Sequence, residues 1–64
     1  MKLDEKKVFL RMAHLCINQK KLAERAGVSR QTICTVINGR NCPPELLGKI
    51  ARALEVEPEE IIED

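Results

Sequence analysis

Aromatic residues are almost missing from this chain: Phe9 is the only one in 64 residues, and there is no Trp or Tyr. A β-sandwich draws its core from many aromatic and β-branched residues, so that class is disfavoured. A core of Leu, Ile, Val, Ala and Met suits short, closely packed helices. Long apolar runs are missing too. The longest uncharged run, Gln31 to Gly39, is far below the roughly 20 residues a membrane span needs. The opening MKLDEKKVFL is charged and has no apolar h-region, so no secretory leader is expected and a cytoplasmic protein is the default. Cys16, Cys34 and Cys42 form no CxxC or Cys/His pair, and their odd number makes a poor disulfide framework. Reduced thiols and no metal site are expected. No nucleophile–base–orienter set and no phosphate loop is present, so the sequence predicts neither an enzyme nor a cofactor. A single domain over residues 1–64 buries only about 60% of its unfolded surface, leaving no room for a large ligand cavity.

The net charge of +1 hides an asymmetry. Residues 1–54 hold all eleven Lys and Arg against four acids (Asp4, Glu5, Glu24, Glu45), a balance of +7. Residues 55–64 hold six acids and no base, a balance of −6. A basic body with an acidic tail suits a polyanionic partner on one face.

The pattern along the chain predicts five helices and no strand, with the core over about residues 5–62. Asp4 caps a first helix from Glu5 to Cys16, with Val8, Met12 and Leu15 on one face and Phe9 beside them. Asn18 caps a second from Gln19 to Ala26, with Leu22, Ala23 and Ala26 inward, and Gly27 ends it in the left-handed region. Val28 plugs the turn. Ser29 caps a third helix from Arg30 to about Asn38, with Ile33, Val36 and Ile37 inward and Arg30, Gln31, Cys34, Thr35 and Asn38 outward. Asn38-Gly39 stops it, and Pro43-Pro44 forbids continuation before a fourth helix from Pro44 to about Glu55. Gly48 inside that helix costs about 1 kcal/mol against Ala, which suggests a close helix approach there. Glu57-Pro58-Glu59-Glu60 signals a last short helix carrying Ile61 and Ile62.

Several pieces then fall into one register: NQ at 18–19, LAxxAGVS at 22–29, QTI at 31–33 and NGR at 38–40, followed by Pro44, KIA at 49–51, AL at 53–54 and Val56. Over about residues 7 to 62 the chain resembles the Cro and phage-repressor type of helix-turn-helix domain, the lambda repressor-like XRE family. The resemblance implies an all-α, five-helix DNA-binding domain, a small transcriptional regulator of repressor type, with helices 2 and 3 as the helix-turn-helix. It also implies a homodimer on a (pseudo)palindromic operator of double-stranded DNA.

By that resemblance the helix from Arg30 reads the major groove through Arg30, Gln31 and Thr35. The chemistry fits: Arg to guanine O6 and N7, Gln to adenine N6 and N7, and a Thr methyl to the thymine methyl. Gln19, Ser29, Asn38, Arg40 and Asn41 match positions that touch phosphates and set register without reading sequence. Gln19 also stands where the family buttresses the first reader, here Arg30. Two departures stand out. The family's internal Arg–Glu pair is replaced by Met12 and Ile37, a double exchange that leaves no stranded charge. Cys16 stands where the family often has Gly. Cys34, on the outward face one turn after Arg30, is a candidate redox thiol. Ile61 and Ile62 cannot both be buried in so short a helix, which makes Val56 to Asp64 the candidate dimer surface. The competing function is a protein-interaction module, antirepressor or antitoxin-like, that keeps the fold without binding DNA.

Overall fold

The computed structural model describes residues 1–63. Asp64, the end of the candidate dimer segment, lies outside the described residues. Four α-helices follow one another: α1 (Glu5–Leu15), α2 (Gln19–Ala26), α3 (Arg30–Ile37) and α4 (Pro44–Ala53). A 3₁₀ turn, Pro58–Glu60, stands where a fifth helix is expected, so the five-helix count is corrected to four. The turn starts as the sequence implies, with the Glu60 carboxylate accepting from the Glu57 N–H at 2.8 Å in a capping box, and it is stopped on its far side. Beyond it, Ile62 forms an antiparallel bridge with Leu3, which pulls the backbone into extended form.

The first three caps work as the sequence implies. Asp4, Asn18 and Ser29 accept from the backbone N–H of Lys7, Lys21 and Thr32 respectively, at 3.2, 2.8 and 3.1 Å. Each satisfies an amide that the helix itself leaves without a partner. The residue before each cap is apolar, and so is the residue at the fourth helical position: Leu3 with Val8, Ile17 with Leu22, and Val28 with Ile33. These are the hydrophobic-staple positions, which set the angle at which the chain enters a helix.

Every helix ends with the same backbone device. A left-handed residue follows the last turn, at Cys16 (φ 57°), Gly27 (72°), Gly39 (102°) and Glu55 (60°). In each case the next residue's N–H reaches back five residues: Ile17 to Met12, Val28 to Ala23, Arg40 to Thr35 and Val56 to Ala51. This is the Schellman arrangement, which satisfies carbonyls left over at a helix C-terminus. It explains the glycine that the family often has where Cys16 stands.

One hydrophobic cluster joins all four helices, and it reaches from Leu3 to Ile61. Met12 and Ile37 are 6% and 2% exposed within it, so both members of the exchanged pair are core residues. Val8, Leu22, Ile33 and Ile50, one from each helix, are fully buried, and Leu54 joins them just after α4. The expectation at Gly48 needs correction, and the places of Phe9 and Ile61 become clear. Phe9 is 41% exposed: it lies one residue past Val8, about 100° around the helix, outside the inward arc. An added methyl at Gly48 would meet nothing within 4 Å, so no helix approaches it closely in this chain. Ile61 is 1% exposed, drawn into the core by the Asp4 N–H donating to its carbonyl at 2.8 Å, and only Ile62 stays half-buried. Among the described residues no helix is long and apolar enough to cross a membrane.

Candidate nucleic-acid interface

The turn between α2 and α3 is two residues plus a cap, and it presents α3 outward because Val28 serves both helices. Its N–H closes the end of α2 on Ala23 at 3.1 Å, and its side chain stands at the staple position of α3. With Ile33, Val36 and Ile37 all buried, the other arc of α3 has to face solvent. On it stand Arg30, Gln31, Cys34, Thr35 and Asn38, all exposed.

The side chains on that arc differ in what they have left to offer. The side chains of Arg30 and Gln31 make no hydrogen bond or ion pair among the described residues, so their full donor and acceptor sets are free. Thr35 is different: its hydroxyl donates to the Gln31 carbonyl at 2.8 Å. A partner therefore meets its methyl group and an acceptor oxygen, which suits apolar contact better than donation. Ser29, Gln31, Thr32, Thr35 and Val36 line a shallow groove along this arc. The Cys34 thiol is exposed, and the Asn38 side-chain amide donates to its sulfur at 3.6 Å.

The residues matched to phosphate contacts fall in two places. At the start of α2, Gln19 is half-buried. The backbone amides of Gln19 and Lys20 have no partner among the described residues, so two N–H groups and the helix dipole are open to an anion. No hydrogen bond joins Gln19 to Arg30, so the buttress implied by the family pattern is not made in the free chain. Ser29 begins α3, with its oxygen 2.8 Å from the Thr32 hydroxyl. When Thr32 donates, the Ser29 O–H is free to bond an outside acceptor. The second place is the connection after α3, where Asn38, Arg40 and Asn41 are exposed. The Arg40 side chain has no partner among the described residues, while the Asn41 side-chain oxygen accepts from the N-terminal ammonium.

Two further groups escaped the sequence reading. Arg11 donates through Nε to the Leu54 carbonyl at 2.8 Å, tying α1 to the end of α4. A cation one turn before a helix end gives no sign of which distant carbonyl it will reach. Cys42, next to the interface, is fully buried. Burial pushes its thiol pKa up, an effect partly offset by the N-terminal charge. Its staple partner would be Leu47, also buried, and that pairing is legible once the fourth helix is placed.

Comparison with known proteins follows the same geometry. A helix-turn-helix family model, HTH_3, matches residues 11–61. An uncharacterized HTH-type transcriptional regulator of Methanothermobacter thermautotrophicus is 51% identical over 41 residues. That alignment covers 62% of this chain and 59% of the relative, less than two thirds of its length. Among solved structures, the restriction-modification controller protein C.AhdI from Aeromonas hydrophila matches with a TM-score of 0.79 at 28% identity, over 88% of this chain and 86% of its own. PhpD, in a structure with cadmium atoms, matches with a TM-score of 0.84 at 23% identity, a likeness of fold alone. All of this chain but only 14% of PhpD is covered. With its two short helices, its shared Val28 turn and a family pattern spanning residues 11–61, the chain belongs to the helix-turn-helix family of the Cro and phage-repressor type.

Proposed function

We propose that this chain binds double-stranded DNA sequence-specifically as a small transcriptional regulator of repressor type, with α3 lying in the major groove. One observation carries the reading: Arg30 and Gln31 stand exposed and unpartnered on a helix whose other arc is buried in the core. An α-helix fits the major groove, and these two side chains are the ones that bond guanine and adenine edges bidentately. Thr35 adds its methyl one turn on. The free amides at the start of α2, with Ser29, Asn38, Arg40 and Asn41, frame the helix on phosphates and set its register. The similarity to the controller protein C.AhdI and to an HTH-type transcriptional regulator supports a regulatory role.

A single domain of this kind covers one half-site. The active form is then a cytoplasmic homodimer on a (pseudo)palindrome with half-sites roughly 34–36 Å apart. Ile61 is consumed by the core, so the C-terminal segment would contribute Val56 and Ile62 to such a contact. The acids of residues 55–63 are repelled by DNA, which turns that end outward.

Selection of bound sequences from a random duplex pool at stated salt tests the proposal. The expected outcome is an enriched motif. With Arg30→Ala one base of it becomes degenerate, at a cost of about 1–3 kcal/mol in discrimination. A pool without enrichment would favour the protein-interaction module instead.

A further inference from the structure

Residues 1–4 lie ahead of the family-matched span, yet they are bonded on both sides. On one side the Lys2 carbonyl accepts from Glu63 N–H at 2.9 Å, and the Asp4 N–H donates to the Ile61 carbonyl at 2.8 Å. On the other side the Met1 carbonyl accepts from the Cys42 N–H. Leu3, between these bonds, is 1% exposed, and Cys42 is fully buried. The short N-terminal segment thus runs between the acidic tail and the connection that follows α3.

That connection has little else to hold it. Pro43 and Pro44 have no N–H. From Asn41 to Leu46 the Cys42 amide is the one backbone donor with a partner among the described residues. At the upstream end, the Arg40 N–H reaches Thr35 only at 3.4 Å. Yet this loop carries Arg40 and Asn41, the phosphate contacts on the far side of α3.

We propose that residues 1–4 act as a strap that holds the Arg40–Cys42 loop in its DNA-binding shape, with Leu3 as the positioning residue. The inference rests on the DNA-binding reading above. A strapped loop has lost its conformational freedom on folding and does not lose it again on binding. Without the strap, Arg40 keeps its charge but not its place, and its counterion release on binding is lost.

The test uses the full chain and the DNA motif selected by the wild type. Leu3→Ala is expected to weaken binding to all sequences about tenfold. The plot of log K against log salt should flatten by about one phosphate contact, while discrimination at the Arg30 base is unchanged. Ile50→Val, which opens the same core from α4, should lower thermal stability and leave the salt slope intact. Both are measured at a temperature where circular dichroism shows the variants folded. Leu3→Val serves if the alanine variant does not fold. In the free protein its amide exchange should quicken at Cys42 relative to α3. An unchanged salt slope, or exchange that quickens equally in α3 and at Cys42, overturns the strap. Failure of the wild type to bind any duplex overturns the DNA reading instead, and the exchange measurement still decides whether the strap orders the loop.

Discussion

The turn from α2 to α3 and the connection from α3 to α4 begin with the same backbone and are put to opposite use. Each opens on a left-handed glycine, Gly27 or Gly39, and each closes its helix with an amide reaching back five residues. After Gly27 a single residue, Val28, completes α2 and staples α3. After Gly39 those two tasks are split. Arg40 completes α3 from an exposed position, and buried Cys42 takes the staple position of α4 two residues later. The apolar version makes a rigid joint. The split version lifts Arg40 and Asn41 into solvent, where a polyanion can reach them. The change from Val to Arg after the glycine leaves a charged side chain exposed where the first turn packs an apolar one.

The difference between the two turns is largest at Val28. Val28→Ala removes two carbons from a half-buried joint and is expected to cost about 1–1.5 kcal/mol in chemical denaturation. That corresponds to a fall of several degrees in Tm. No change in stability would mean that the joint is not held by Val28. A smaller effect of opposite sign is expected at Cys16, the same left-handed position without a glycine. Cys16→Gly relieves about 1–2 kcal/mol of left-handed strain but adds freedom to the unfolded chain, for a net gain of roughly 0.5–1 kcal/mol. Glu55→Gly should gain less, because it also removes the exposed 3.6 Å pair with Arg25. A loss of stability at Cys16→Gly would contradict the strain argument. The smallest change in stability belongs to Arg40→Ala, expected within about 0.5 kcal/mol. Its signature is in DNA binding: weaker affinity for every sequence and a salt slope shallower by about one contact. If Arg40→Ala destabilises the fold as much as Val28→Ala, the two turns are not used differently.

Much of this was legible because it is local. Asp4, Asn18 and Ser29 announce helix starts through short polar side chains, and Gly27 and Gly39 announce ends through positive φ. The arc of α3 that faces solvent follows from the spacing of Ile33, Val36 and Ile37 alone. Cys16 and Glu55 were opaque for the complementary reason. Their left-handed geometry is imposed by the fold, since neither residue favours it. Gly48 misled the reading: a helical glycine suggests a close neighbour, and none is present within the chain.

The four α-helices, the inward and outward arcs of α3 and the family can be read from residue order, because each rests on periodicity and caps within a few residues. Three further outcomes come from packing across the fold. Leu3 and Ile61 joined the core, the last helix shrank to one 3₁₀ turn, and residues 1–4 became tied to Cys42 at one end and to residues 61–63 at the other. Those outcomes depend on hydrogen bonds between segments some forty to sixty residues apart. Such bonds have no local pattern, and they form only where the packed helices bring the two ends of the chain together.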